Sequence, residues 1–391
     1  MRRLSLIFGR CLACTCALMV ASVPASAQRV PLPAQLAQID MPVALLVDAS
    51  NGQVLFERAA QRRFVPASVT KVMTLFTAFE LIEAGQLDPR YSLTVSPEAW
   101  MEWRGKGSTM FLNADDRVPL SDLLTGIATV SANDASYVLA EEAAGSLEGW
   151  TAQMNAKARA IGMTQSHFGT PNGWPDEGGT FTTARDLVVL AKALLDDHPK
   201  KVARFIGNRE FTYNGITQSN HDPMIGRVEG ADGIKTGYTN EAGFNYLGTA
   251  KRGDQRLILV VAGGKRKSER AAFARGLVEW GFSAFDRQNL FAKGARVAEV
   301  AVQNGSARRV ALVTQRDVFM NVPKGRGGDL RVSVAYNGPL RAPITAGDEV
   351  ATLVIEAPDM QPARIPLLAE ESVRKAGFFA RIANAFSGWL S

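Results

Sequence analysis

The sequence predicts an α+β protein in which a five-stranded antiparallel sheet carries helices on one side, followed by a small all-β module and a C-terminal amphipathic helix. Three observations lead there. Two apolar runs, Ala44-Leu45-Leu46-Val47-Asp48 and Val54-Leu55-Phe56-Glu57, flank Asn51-Gly52, a strong short-range hairpin signal. Three strand-like runs, Gly233 to Tyr238, Phe244 to Ala250 and Leu257 to Ala262, follow in close succession, the last two joined by a short turn at Arg252-Gly253-Asp254. Short turns join antiparallel neighbours. Between hairpin and meander, Leu120, Leu123, Leu124, Ile127 and Ala128, then Leu187, Leu190, Ala191, Leu194 and Leu195, recur at helical spacing.

In chain order, residues 1–27 read as a secretory leader: Arg2, Arg3 and Arg10, an apolar run from Cys11 to Val23, and the small-residue ending Ala25-Ser26-Ala27. Cleavage is expected before Gln28. The competing reading is a membrane anchor, but the run is too short to span the hydrocarbon core. Cys11, Cys14 and Cys16 all lie in the leader, so the mature chain has no cysteine for a disulfide, a thiolate nucleophile or a metal site. The leader's arginines account for half of the formal charge of +6, leaving +3. That mild bias, without a Lys/Arg block interleaved with aromatics, argues against a nucleic-acid partner.

Residues 28–288 form the expected catalytic domain, holding hairpin, helices and meander. Its first helix follows Ser68: Val72 to Ala84 is apolar on nearly every side and closes at Gly85, as befits a central, buried helix with a left-handed stop. Residues 289–368 form the β-rich module, with alternating stretches such as Val297 to Val302 and Leu330 to Val334 between Gly, Pro and Asn turns. Residues 369–391 form the terminal helix. There Phe379, Ile382, Phe386, Trp389 and Leu390 fall on one stripe, with Arg374, Lys375 and Arg381 among the polar positions. Such a helix suits a membrane surface; docking on its own domain is the other reading.

The chemistry starts at Ser68-Val69-Thr70-Lys71, which sets a hydroxyl and an amine one helical turn apart. The amine can take the hydroxyl proton only if burial or a neighbouring cation lowers its pKa. Alone, the pair is weak evidence. Ser68 also suits an ordinary helix cap, and Ser372-Val373-Arg374-Lys375 repeats the spacing without any companion. Ser131-Ala132-Asn133 adds a second hydroxyl to relay a proton and an amide to hold a substrate carbonyl. Lys235-Thr236-Gly237, on the first meander strand, adds a fixed cation, a donor and a glycine that lets a substrate backbone approach.

In this order the three elements resemble the penicillin-recognising serine enzymes. The longer phrases, Pro66 to Thr74, Ser131 to Ala135, Thr183 to Leu187 and Asp232 to Gly243, are similar to the low-molecular-mass D-alanyl-D-alanine carboxypeptidases, the S11 serine peptidases. The resemblance implies a β-lactamase/transpeptidase-like fold and removal of the terminal D-alanine from peptidoglycan pentapeptides. It implies that Ser68 is acylated, that Lys71 is the base, and that Ser131 passes the proton to the departing D-alanine. It also implies an oxyanion hole from the N–H groups of Ser68 and Tyr238, with Asn133, Lys235, Thr236 and Gly237 binding substrate. Arg270, six positions after Gly264, is the expected carboxylate anchor, although Lys265, Arg266 and Lys267 beside it also suit a solvated basic helix start. The family's Asn-Arg-Asn phrase is replaced by Asn220-His221-Asp222, and His221 reads as a surface histidine.

The implied partners are peptidoglycan, β-lactams as covalent inhibitors, and the membrane surface, at the periplasmic face of the inner membrane. No cofactor is expected, since His167, His198 and His221 are scattered and no phosphate or dinucleotide loop occurs. Rival readings are a class A β-lactamase, for which Glu177 is the lone glutamate in the loop Gly169 to Gly179, a D,D-endopeptidase that cuts cross-links, and a non-catalytic muropeptide-binding scaffold.

Overall fold

The computed structural model describes residues 2–6, 30–357 and 360–377. It divides into two units, one of Leu32–Ser50 and Val54–Phe282, the other built from Ser283 onward together with Asn51–Gln53 and the N-terminal residues.

The first unit is organised by strands β1 (Val43–Asp48), β2 (Gln53–Arg58), β3 (Ala231–Thr239), β4 (Gly243–Arg252) and β5 (Gln255–Gly264), in the spatial order β2-β1-β5-β4-β3. Hairpin and meander join as the sequence implies, because β1 pairs antiparallel with β5, Leu46 opposite Leu259. This leaves β3, with Lys235-Thr236-Gly237, on the sheet's open edge.

Helices cover both faces of the sheet, not one. All six residues of β1 are buried, so its alternate side chains need apolar cover on each side. One face takes α1 (Lys71–Glu83), α2 (Leu120–Thr129), α3 (Asn133–Ala144), α4 (Leu147–Ala160), α5 (Ala184–Asp197) and α6 (Pro199–Phe205), whose apolar residues share a core with Val43, Leu45, Ile258 and Val260. The other takes α7 (Lys267–Ser283), whose Gly281 is so close to the sheet that a Cβ there would stand 2.6 Å from Leu46 and 2.9 Å from Leu257. The cover on this second face was missed because α7 opens with Lys, Ser, Glu and Arg, which mask its apolar stripe.

The second unit is a seven-stranded sheet with an antiparallel ribbon of Phe285–Phe291 and Val318–Pro323. That ribbon straddles the expected boundary at 288/289 and moves it back to Ser283. In Arg296–Gln303, Val297, Val300 and Val302 are buried while Arg296 and Glu299 face water; the anticipated alternation holds from Glu299 onward, and a register shift near Ala298 offsets Val297. Arg2–Leu6 pairs with Arg331–Tyr336 at one edge of the sheet, and the rest of the expected leader lies outside the described residues.

The tail also differs from expectation. Residues 369–377 do not begin a helix: Ala369 ends a strand, Val373 bridges to Ile344 and Lys375 to Gly305, and Val373 is 1 % exposed. Apolar residues at Val373 and Ala376 are taken up by this sheet, so the chain stays extended until they are buried. The stripe from Phe379 to Leu390 lies outside the described residues.

Candidate functional site

Ser68 sits in a single 3-10 turn, Ala67–Thr70, that runs into α1 at Lys71. The junction keeps the one-turn spacing that brings hydroxyl and amine together. Ser68 does not cap the helix; its hydroxyl oxygen is 2.9 Å from Lys71 Nζ. The second Ser-x-x-Lys is ordinary by contrast, with Ser372 Oγ accepting from the Ala346 N–H in a surface turn.

Lys71 is wholly buried, and besides Ser68 its Nζ meets Asn133 Oδ1 at 2.7 Å and the Asn172 carbonyl at 2.8 Å. Those two oxygens can only accept. A neutral amine carries two N–H bonds and one lone pair; the two acceptors claim the N–H bonds and leave the lone pair facing Ser68. Burial, reinforced by the positive charge of Lys235, holds the Lys71 pKa well below the ordinary lysine range, while Asp134 opposes the shift. The neutral form that the geometry orients is therefore the form that the environment favours.

Ser131 lies between α2 and α3 with φ of 64°, a left-handed conformation that costs a serine on the order of 1 kcal/mol. The kink is held by backbone bonds on both sides, from Ala132 N–H to the Gly126 carbonyl and from Asn133 N–H to the Ser108 carbonyl at 2.8 Å. It turns a small hydroxyl residue into the cleft. The Asn133 amide has less freedom than expected: Oδ1 holds Lys71 and Nδ2 donates to the Lys106 carbonyl at 3.3 Å. Its first task is to orient the amine rather than a substrate carbonyl.

Gly237 is required by packing. A Cβ there would stand 2.5 Å from the Pro66 carbonyl and 3.1 Å from the Ser68 nitrogen, so β3 lies directly against the Ser68 turn. Gly173 approaches from another side, where a Cβ would fall 1.9 Å from the Ala67 carbonyl. Asn245 on β4 completes the frame, donating to the Val65 carbonyl and accepting from the Gly263 N–H, both at 2.9 Å.

The far end of the cleft is cationic. Lys235 is buried, and burial brings its pKa down to about 7, with Asp222 opposing and Arg270 adding to the fall. Arg270 is 3 % exposed, lines the cleft, donates to the Asn245 carbonyl at 3.4 Å and leaves its Nε without a hydrogen-bond partner. A buried guanidinium with a donor to spare is no solvated helix start; it suits an incoming carboxylate. His221 is a surface loop residue, as expected, that also lines the cleft, and desolvation with the nearby cations lowers its pKa. Asp222 is held by Tyr246, whose hydroxyl donates to it at 2.9 Å, and by the N–H groups of Met224 and Ile225.

The structure thus brings Ser68, Ser131, Asn133, Thr236, Gly237, Tyr238 and Arg270 onto one cleft of 330 Å³, with Lys71 buried and bonded to Ser68, and Lys235 buried on the same strand as Thr236 and Gly237. Sequence reasoning missed Asn172, Gly173, Trp174, Asp222, Asn245 and Tyr246. Pro171-Asn172-Gly173-Trp174 carries only the proline and glycine of an ordinary loop, and polar residues inside the strand Gly243–Arg252 are the available signal for the buried pair. Trp174 forms a wall of the cleft, seated edge-on against Trp103 with ring centres 5.2 Å apart. Glu177 is not among the residues lining the cleft.

Comparison with known proteins adds independent findings. Residues 28–266 match the family model of peptidase S11, D-alanyl-D-alanine carboxypeptidase, and residues 285–375 match that of the penicillin-binding protein 5 C-terminal domain. The chain is 34% identical over 350 residues to D-alanyl-D-alanine carboxypeptidase DacA of Escherichia coli K12, covering 88% of this chain and 86% of that one. It is similar in structure to penicillin-binding protein 5 from Haemophilus influenzae, with a TM-score of 0.78 and 28% identity, across 88% of this chain and 100% of that chain. Penicillin-binding protein D2 from Listeria monocytogenes, solved in its ampicillin-bound form, matches 63% of this chain and 98% of its own, with a TM-score of 0.55 and 27% identity.

Proposed function

The chain belongs to the peptidase S11 family of D-alanyl-D-alanine carboxypeptidases, and from that premise we propose that Ser68 is the residue acylated during removal of the terminal D-alanine from peptidoglycan pentapeptides. The protein is a serine-type D-Ala-D-Ala carboxypeptidase with a penicillin-binding, transpeptidase-like fold. The observation that carries the assignment to Ser68 is the buried Lys71 amine, with two obligate acceptors behind it and Ser68 in front.

In this mechanism the Ser68 oxygen attacks the carbonyl of the penultimate D-alanine as Lys71 takes the hydroxyl proton. The backbone N–H groups of Ser68 and Tyr238 receive the oxyanion, which the close approach of β3 to the Ser68 turn supports. Ser131 passes the proton to the departing amine, and water then releases the acyl group. Lys235, Thr236 and Arg270 hold the terminal carboxylate, and Asn133 keeps the amine in place. β-Lactams acylate the same serine and block it, in keeping with the ampicillin-bound relative.

A labelled penicillin tests the scheme. Label should map to Ser68 and vanish in Ser68→Ala, and the enzyme should release free D-alanine from a pentapeptide; label on another residue would overturn the assignment.

We also propose that the protein is exported and works at the periplasmic face of the inner membrane, held by its C-terminal segment. The leader pattern and the apolar stripe from Phe379 to Leu390 support this. Because Val373 and Ala376 are buried in the β unit, the informative truncation ends at Gly377; it should free the protein from membranes with activity unchanged. Retention after that truncation would refute the anchor.

A further inference from the structure

A separate pocket of 200 Å³ is built partly from the loop that borders the cleft. Gly107 and Ser108 of that loop line the cleft, whereas Arg104, Gly105, Thr109, Phe111 and Leu112 line the pocket. Among the described residues none lines both.

The apolar walls are the buried Ala99 and Trp103 from the helix Pro97–Trp103, Val138 from α3, and Leu112. Walls of this extent suit one aromatic ring, since an apolar cavity of about 150 Å³ takes benzene. Two polar groups narrow the choice. Trp103 Nε1 is buried without a hydrogen-bond partner among the described residues, so one donor is unmet. Asp134 also lines the pocket, but its oxygens already accept from the N–H groups of Met110, Leu112 and Ala135. Its negative charge repels an anion, and a cation has only donors to offer Trp103. The guest that fits is apolar, uncharged and able to accept one hydrogen bond.

The same loop couples the pocket to the base. Asp134 accepts from the N–H groups on either side of Phe111 and so holds that residue at a φ of 64°. The conformation costs on the order of 1–2 kcal/mol and leaves the Phe111 side chain 49% exposed. Asn133, whose Oδ1 holds Lys71, donates to the Lys106 carbonyl from Nδ2 and to the Ser108 carbonyl from its N–H. Trp103 in turn meets Trp174, the wall of the cleft, with ring centres 5.2 Å apart. A guest favours the arrangement of the loop that keeps the pocket whole, and in that arrangement Asn133 orients the amine.

We propose that this pocket is an effector site for a small neutral aromatic compound bearing one hydrogen-bond acceptor, and that its occupancy speeds acylation of Ser68. Binding is independent of the roles proposed above for Ser68 and Lys71; the effect on rate rests on them.

The test uses benzyl alcohol, toluene and benzoate on the whole protein, with affinity read by NMR titration and acylation by a labelled penicillin. Benzyl alcohol should bind about fivefold more tightly than toluene, which lacks the acceptor, and than benzoate, which Asp134 repels. In Trp103→Phe, which keeps a ring but loses the N–H, benzyl alcohol should fall to the level of toluene. At saturation it should raise the wild-type acylation rate at least about twofold, and it should bind the penicillin-acylated protein as well as the free one. Tighter binding of benzoate, or loss of benzyl alcohol once Ser68 is acylated, would place the guest in the cleft and overturn the proposal. So would equal binding of all three probes by wild type, or bound benzyl alcohol that leaves acylation unchanged or slows it. If Trp103→Phe does not fold, the order of the three probes on wild type decides alone. A protein that penicillin fails to label even without a probe would bring down the proposed function, while the binding comparison would still decide the site.

Discussion

The unit that holds Ser68 excludes Lys71, Lys235, Arg270, Asp134 and Asn133 almost entirely from water, whereas the β unit fills its interior with Val, Leu, Ile and Ala. Among the described residues of the β unit, the buried polar side chains are Asn51, Gln53, Thr314 and Asn321, all uncharged. Burying a cation without a full counter-charge costs several kcal/mol, so a fold selected for stability alone avoids it. The contrast teaches where each unit's sequence is constrained: by chemistry in the first, by shape and apolarity in the second.

The sharpest way to break the comparison is to remove a buried charge. Lys71→Ala should slow acylation by penicillin at least ~10³-fold, since among the described residues Lys71 is the amine hydrogen-bonded to Ser68. Stopped-flow or gel-based labelling reads this directly, and a loss under tenfold would mean that Lys71 is not the base.

Next comes Gly237→Ala, whose methyl group must push β3 away from the Pro66 carbonyl and the Ser68 nitrogen. A shift of even a few tenths of an ångström there should lower the acylation rate about 10²-fold while the melting temperature moves little.

A smaller and more diagnostic effect concerns pH. Lys71 must be neutral to act, and the charge of Lys235 helps to keep it so. Acylation should therefore rise with pH through the lowered Lys71 pKa. In Lys235→Gln that rising limb should move to higher pH, because the repelling charge is gone. For stability the sign is the same: both lysines bind more protons unfolded than folded, so stability rises with pH between the folded pKa, about 7 for Lys235, and the ordinary lysine value. An acid limb that stays fixed in the variant would deny the coupling.

The smallest effect on chemistry belongs to the β unit. Leu353→Ala, at a fully buried position, should destabilise that unit by about 3 kcal/mol and leave acylation unchanged below its melting transition. Calorimetry and labelling at one temperature check both halves.

These regions were also unequally legible in the sequence. Hairpin, meander, the buried helix after Ser68 and the β alternation were readable because each is written in a local period, and Ser68, Lys71, Ser131 and Lys235 because each belongs to a short phrase. Arg270 could be named but not separated from Lys265, Arg266 and Lys267, since burial of one basic residue among several is decided by packing of α7 against the sheet. Asn172 contributes a backbone carbonyl, and no residue type announces that. The start of the tail was misread because Val373 and Ala376 continue an apolar pattern that suits a helix face and a strand edge alike.

Glycines at 173 and 237 press on the Ser68 turn from two directions, and each leaves less room than one methyl group needs. The nucleophile therefore has nowhere to retreat when a bulky acyl group arrives. Accommodation must come from the guest, through the bend of its own ring and side chain. Potency across a panel of β-lactams should then follow each compound's internal flexibility more closely than its contact area.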